Sequence, residues 1–265
     1  MVWAGRTVLG LALAGAVVTL AWWLAPFAFD RAVARLGINP SLPDKVFGRL
    51  GFPRPEFTLD QRLELIGPAA RARMAAALAK AGVAYPPAAV TLVGLKSEKV
   101  LQLYAKAGEP GAGWQFVRSF PVLAASGHPG PKLKEGDRQV PEGVYGIDFL
   151  NPNSLYNVSM RVTYPNDFDR ARASEEHRDN LGGAIMIHGR AASIGCLAMG
   201  DPASEELFTL AAAVGLANIT VILAPVDLRT QPRPSPDGAP NWLPDLYDRI
   251  GAALNVLPVS AGSAS

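Results

Sequence analysis

The chain contains a single cysteine, Cys196, and one of its three histidines, His188, lies eight positions before it. A thiol is mostly protonated at neutral pH, and a neighbouring imidazole that takes the proton turns it into a strong nucleophile. A strand that ends at His188, followed by a tight return loop with Gly189 and Gly195, would bring the two side chains together. The pattern therefore predicts cysteine chemistry with Cys196 as nucleophile and His188 as its base.

Both residues also have a structural interpretation. A free cysteine is among the most frequently buried residue types, and a histidine in a core is often held there by ordinary hydrogen bonds. A separation of eight positions is in itself a weak motif, so spacing alone leaves both interpretations open.

The residues around Cys196 suit acyl transfer, which requires backbone N–H groups directed at the developing oxyanion. We expect Ser193, Gly195 and Gly189 to shape this oxyanion loop, and Gly195 to let the backbone approach a substrate closely. A helix is predicted to start with Asp201 as its cap, and its positive end would favour a thiolate at Cys196.

Short apolar runs predict a mainly β chain with a few helices. The strand-type runs, of which 114–123 is expected to form a pair of short strands, are 90–93, 100–104, 114–123, 144–147, 159–164, 184–187 and 220–223. The helical patterns, the first of them with a break expected at Pro68, are 63–81, 201–214 and 245–254.

Composition narrows the classes of function. The 265 residues carry a formal net charge of +2 and no basic stripe interleaved with aromatics, which argues against nucleic acid as a partner. The positions of His128, His177 and His188 match no metal motif, and no phosphate-binding loop or dinucleotide fingerprint is present, so neither a metal nor another cofactor is expected.

The segment from Thr7 to Phe29 has no charged residue and is long enough to cross a bilayer, which takes roughly 20 apolar residues. Arg6 precedes it, and Trp22 and Trp23 lie toward its far end, as in an anchor whose following chain is outside the cytoplasm. A cleaved signal peptide is the alternative. No clean cleavage site follows, which favours a periplasmic protein anchored in the inner membrane.

The segment His188-Gly189 followed by Ser193-Ile194-Gly195-Cys196 resembles the signature of the L,D-transpeptidase (YkuD) catalytic domain, a His-Gly and then Ser/Thr-x-Gly-Cys. The loop between the two halves is shorter than in typical members. Further stretches resemble the YafK-like branch of that family, namely VGLKS at 93–97, GPKLKEGDRQVPEG at 130–143 and LAM at 197–199.

The resemblance, which covers about residues 88–227, implies a fold class. We expect an α+β chain, mainly β, with an L,D-transpeptidase-type catalytic domain that is sandwich-like or barrel-like, behind an N-terminal membrane helix. The expected boundaries are 1–30 for the signal or anchor helix, 31–87 for a linker and helical segment, 88–227 for the catalytic domain and 228–265 for a Pro-rich tail.

The resemblance also implies peptidoglycan stem peptides as substrate. Many members carry an arginine two residues after the cysteine, thought to help hold the substrate, where this chain has Ala198. Another cation must then meet the substrate carboxylates, and the candidates are Arg190, Lys132, Lys134 and Arg138. In the family the 130–143 stretch borders the cleft, whereas its alternative is a solvated surface loop.

In the implied mechanism Cys196 attacks the carbonyl at the L-centre of diaminopimelate and forms a thioester, which His188 helps to pass on. Transfer to an amine makes the enzyme a transpeptidase. Transfer to water makes it a murein L,D-endopeptidase or amidase, and the YafK-like branch is linked to release of a wall-bound lipoprotein. An inactive peptidoglycan-binding envelope protein is a further alternative.

Overall fold

The computed structural model describes residues 56–193 and 195–259. The expected N-terminal anchor and residues 31–55 of the 31–87 segment therefore lie outside the described residues. The chain from Leu59 onward forms one compact unit. Among the described residues, no helix is long and apolar enough to span a membrane.

Eight strands and four α-helices make up the described part of the chain. The strands are β1 Ala89–Leu95, β2 Val100–Lys106, β3 Trp114–Pro121, β4 Gly143–Asn151, β5 Ser159–Val162, β6 Met186–His188, β7 Leu197–Ala198 and β8 Ile219–Ala224. The α-helices are α1 Leu59–Lys80, α2 Asp167–Glu175, α3 Asp201–Val214 and α4 Leu243–Asn255, and a 3₁₀ turn covers Leu216–Asn218. The mainly β prediction with a few helices is confirmed, and the 114–123 run forms one strand.

The strands form one sheet in the order β3-β2-β1-β8-β4-β5-β6-β7. Strand β4 turns the sheet, because Gly143–Gly146 pair with β8 and the strand from Ile147 onward pairs with β5. A bulge between Ile147 and Phe149 interrupts the second pairing. An isolated bridge between Ala124 and Ala198 joins the segment after β3 to β7. The two ends of the strand order therefore meet, so the sheet is barrel-like rather than a sandwich of separate sheets.

The central strands β1 and β8 are parallel and buried on both faces, which explains their nearly continuous apolar sequences. On one face Leu92 and Val221 belong to a core that includes side chains of α1 and α3. On the other face Val93 and Ile222 belong to a core with α4. The expected Pro-rich tail thus contributes a helix that covers one face of the catalytic sheet.

Helix α1 runs without a break through Pro68, so the expected interruption there is wrong. Ile66 lies before the proline, and Ala70, Met74 and Leu78 lie after it, and all four are buried. A continuous buried face on both sides of Pro68 offsets the backbone hydrogen bond that proline cannot donate.

Replacing the exposed Pro68 by alanine is expected to stabilise the protein by about 1–3 kcal/mol, because it restores an N–H donor inside the helix. Thermal unfolding measures this change. The matched control is Pro244→Ala, since Pro244 is also exposed but lies in the first turn of α4, where proline is tolerated. A melting temperature of the Pro68 variant no higher than that of the control would contradict this account.

Candidate active site

Strands β6 and β7 bring together the chain segments that contain His188 and Cys196. The two strands are parallel, with Ile187 opposite Leu197 and His188 opposite Ala198. Cys196 directly precedes β7, and its Sγ contacts the backbone of Met186 in β6. Because side chains alternate along a strand, Ile187 and Leu197 point into the core, and His188 lies on the other face of β6.

The ring of His188 is buried, with 3% of the residue exposed. Its Nδ1 lies 2.6 Å from the carbonyl oxygen of Gly189, which can only accept, so Nδ1 carries the hydrogen. Burial lowers the pKa of His188, and the Gly189 carbonyl opposes this effect. Burial thus favours the neutral imidazole, in which Nε2 is the nitrogen that can accept a proton.

The thiol of Cys196 is half-buried and faces strand β6. Its Sγ accepts the N–H of Met186 at 3.4 Å and donates to the carbonyl oxygen of Ala184 at 3.8 Å. Burial raises the pKa of the Cys196 thiol, while the Met186 N–H and the charge of Lys132 act in the opposite direction. The structure thus holds a neutral thiol that is hydrogen-bonded to the backbone of the neighbouring strand.

Two serines hold the turn that precedes the thiol. The Oγ of Ser193 accepts the N–H of Cys196 at 2.9 Å and donates to the Cys196 carbonyl at 2.5 Å. The Oγ of Ser126 accepts the N–H of Gly195 at 2.6 Å and donates to the carbonyl of Arg138 at 2.7 Å. The backbone donors expected to meet an oxyanion are thus bound to serine hydroxyls here, so an oxyanion role of this loop stays a prediction.

Gly189 is enclosed on three sides. A Cβ at this position would lie 2.6 Å from the carbonyl oxygen of Tyr156, 2.6 Å from an oxygen of Asp201 and 2.9 Å from the hydroxyl of Ser204. Its N–H donates to the carbonyl of Tyr156 at 2.9 Å. Glycine is required here by close approach of neighbouring groups, and the peptide that orients His188 is fixed as a result.

Replacing Gly189 by alanine is expected to destabilise the protein by about 1–3 kcal/mol, because two backbone segments must move apart to admit the methyl group. Thermal unfolding measures the loss. Gly251→Ala is the matched control, since a Cβ at Gly251 in helix α4 meets nothing within 4 Å and alanine favours a helix. Equal melting temperatures for the two variants would refute the enclosure of Gly189.

The four candidate carboxylate-binding cations differ in their surroundings. Lys132 is buried, and its ammonium binds Asp137 at 2.7 Å and the carbonyl of Lys134 at 2.8 Å. The side chains of Lys134 and Arg138 are exposed. Arg190 is half-buried in a left-handed conformation, with φ of 58°, and its N–H donates to Asp201 at 2.9 Å. Of these four cations, Lys132 is the one whose charge acts to lower the pKa of the Cys196 thiol.

Asp137 organises the loop that contains Lys132. Its carboxylate accepts the N–H groups of Leu133, Lys134 and Gln139 in addition to the ammonium of Lys132. Burial acts to raise the pKa of Asp137, but these donors outweigh it and hold the pKa below its usual value. The charge-dense 130–143 loop is therefore ordered around Asp137. Lys132 and Asp137 do not behave as side chains of a solvated surface loop, which was the alternative interpretation of this stretch.

Asp201 and Ala198 also differ from simple sequence expectations. Helix α3 begins at Asp201, but the capping residue is Gly200, and the Asp201 carboxylate accepts the Arg190 N–H. Ala198 is fully buried, and its backbone pairs with the segment after β3. Ala198 therefore exposes no surface to a substrate.

Sequence reasoning missed Ser126 and Tyr156. The Tyr156 ring lies against the His188 ring with centroids 4.6 Å apart and an angle of 39° between the planes. Both residues come from loops distant in sequence, and no motif marked them. Over residues 56–193 and 195–259, no cluster of His, Cys, Asp and Glu side chains could hold a metal ion.

Comparison with known families places this site in a class. The family model for YkuD, the L,D-transpeptidase catalytic domain, matches residues 92–226, which is more than half of the chain. The protein therefore belongs to the L,D-transpeptidase (YkuD) catalytic domain family, as the His188–Cys196 motif predicted.

Particular relatives point to the same family. Two Escherichia coli proteins, from strains K12 and O157:H7, both named "Putative L,D-transpeptidase YafK", are each 38% identical over 115 residues. The match covers 43% of this chain and 43% of each relative, so less than half the length of these curated relatives is spanned. The resemblance to the YafK-like branch is confirmed.

Solved structures give more distant matches. The helical cell shape determining protein Pgp2 from Campylobacter jejuni is 24% identical, with a TM-score of 0.40 over 51% of this chain and 47% of that one. L,D-transpeptidase 1 from Mycobacterium tuberculosis is 16% identical, with a TM-score of 0.29 over 51% of this chain and 62% of that one.

Proposed function

We propose that the protein catalyses cysteine-dependent acyl transfer on peptidoglycan stem peptides through a thioester at Cys196. The observation that supports this proposal is the pairing of β6 with β7, which brings together the segment that ends at His188 and the segment that begins after Cys196. The Gly189 carbonyl orients the His188 ring. Membership of the L,D-transpeptidase family supports the class of reaction and of substrate.

The first step is activation of the thiol. The Cys196 side chain rotates away from the Ala184 carbonyl and the Met186 N–H, and its proton passes to Nε2 of His188. Nδ1 keeps its proton and continues to donate it to the Gly189 carbonyl, so the imidazolium is stabilised as it forms. The charge of Lys132 favours the thiolate in the same step.

The thiolate then attacks the carbonyl at the L-centre of a diaminopimelate residue. The C–N bond breaks, the leaving amine takes the proton from His188, and a thioester remains on Cys196. His188 is neutral again and removes a proton from the second nucleophile, which releases the acyl group from sulfur. An amine as second nucleophile gives a cross-link, and water gives hydrolysis.

The side chains of Lys134 and Arg138 are our proposed partners for the substrate carboxylates, because both are exposed on the loop that carries Lys132. Lys132 itself is bound to Asp137, so it acts on the thiol through its charge. Arg190 is a third candidate, on the short loop between the two halves of the motif.

The reaction is tested by incubating the purified full chain with defined muropeptides, with and without an added amine acceptor, and analysing the products by mass. A new amide that contains the acceptor identifies a transpeptidase. Identical hydrolysis products in both arms identify an L,D-endopeptidase or amidase, whose natural substrate would include a wall-linked lipoprotein. Muropeptide that binds and stays intact in both arms would contradict catalysis and leave a peptidoglycan-binding protein.

We further propose that the site works in the periplasm, with residues 7–29 as an inner-membrane anchor, because stem peptides occur outside the cytoplasm. Fractionation of cells and the mass of the mature N-terminus test this proposal. An intact N-terminus in the membrane fraction is expected. A mature chain that begins after about residue 29 would replace the anchor by a cleaved signal.

A further inference from the structure

Helix α1 contains a fully buried arginine, Arg62, which contacts the loop that lies against His188. Arg62 has no exposed surface, although it lies in the first turns of a helix outside residues 92–226, the region matched by the family model. Its Nη2 donates to the backbone carbonyl of Asn157 at 2.7 Å and to the Asn157 side-chain oxygen at 2.7 Å. Hydrogen bonds from a charged donor are stronger than neutral ones, so this contact fixes Asn157 firmly.

Asn157 is held in an unusual conformation. Its φ is 74°, in the left-handed region, and its amide also donates to Glu205 of helix α3 at 3.1 Å. Such a conformation persists only where the surroundings impose it. Arg62 and Glu205 therefore fix, from two helices, the course of the loop that contains Tyr156.

Tyr156 contacts the site in two ways. Its carbonyl accepts the N–H of Gly189, whose own carbonyl orients Nδ1 of His188. Its ring covers the His188 ring, although the tyrosine remains 40% exposed at the surface. Both contacts act on the tilt of the imidazole and on its shielding from water.

We propose that Arg62 is a positioning residue for His188, acting through Asn157 and Tyr156, so that helix α1 is required for full turnover. The inference rests on the proposed role of His188 as base. It adds to that role a contribution from a helix that the catalytic motif does not include.

The test compares Arg62→Met with Arg62→Lys in the full chain. In the methionine variant kcat is expected to fall roughly 10- to 100-fold with little change in KM, because a small misplacement of a catalytic group has that cost. The lysine variant, which can still donate to Asn157, is expected to recover part of the loss. The pKa of His188, measured by NMR, is expected to rise toward 6.5 in the methionine variant, because the ring becomes hydrated. The chain has three histidines, so the His188 signal is readily assigned.

Arg73→Met is the matched control, since Arg73 also joins α1 to α3, through an ion pair with Glu206 at 2.5 Å, but does not contact Asn157. It is expected to lower the melting temperature and leave kcat and the His188 titration unchanged. If Arg73→Met changes both as much as Arg62→Met does, the role of Arg62 is only structural and the proposal is overturned.

Two further variants separate the possible failures. Asn157→Gly accepts the left-handed conformation and removes the side-chain acceptor, so it should show a smaller effect of the same kind even if Arg62→Met does not fold. Wild-type kcat and titration in Asn157→Gly and in any folded Arg62→Met would overturn the inference. A fall in turnover of about 10²- to 10⁴-fold in His188→Gln would then show that the proposed function stands without Arg62. Undiminished turnover in His188→Gln would instead remove His188 as the base on which the inference rests.

Discussion

Cys196→Ala is expected to reduce muropeptide turnover by at least about 10⁴-fold, because loss of a nucleophile removes the covalent route and leaves only binding and positioning. The half-buried thiol makes weak contacts, with Met186 and Ala184, so the melting temperature should change little. Product formation measured by mass against time gives the rate.

Cys196→Ser is the companion variant, since it keeps the size of the side chain but replaces the thiol by a hydroxyl that ionises far less readily. It is expected to be nearly as inactive as the alanine variant. Wild-type turnover in either variant, at unchanged stability, would mean that Cys196 is a structural residue and that the reaction follows another route.

His188→Gln is expected to lower turnover by about 10²- to 10⁴-fold, the usual contribution of general acid–base catalysis. Glutamine can retain the contact with Gly189 but cannot accept the thiol proton. His128→Gln and His177→Gln are matched controls, because both histidines are exposed and lie outside the β6–β7 pair. Equal rates in all three variants would remove His188 from the mechanism.

The same histidine sets the expected pH dependence. Burial lowers the pKa of His188, so its neutral, proton-accepting form persists below pH 6.5 and is lost as the pH falls through the lowered value. The acid limb of kcat/KM should therefore have a midpoint below 6.5. A midpoint above 6.5 that is retained in His188→Gln would assign the limb to another group.

The sequence was most informative where chemistry and local pattern coincide. A lone cysteine and a histidine eight positions apart, with glycines between them, predicted a strand followed by a tight return. A strand does end at His188, but the chain comes back to pair Ile187 with Leu197 in the parallel direction, which a tight turn does not give. The apolar runs of β1 and β8 also predicted strands correctly, because both faces of these strands are buried.

The parts that were missed depend on contacts between distant segments. Ser126 is 69 residues from Gly195, and Arg62 is 95 residues from Asn157, so no local pattern could connect them. The predicted break at Pro68 was wrong for a related reason, because burial of α1 against the core outweighs the local cost of the proline. Local propensity describes the elements well, whereas the support of the site comes from how the elements pack.

During turnover we expect an acyl group to become attached to Cys196. The most direct measurement is the intact mass of the full chain, quenched in acid during turnover of a defined muropeptide. We expect a mass increase equal to the acyl part of the substrate, located on the peptide that contains Cys196 and removed by hydroxylamine. Turnover without such an adduct, undiminished in Cys196→Ala, would contradict the thioester mechanism.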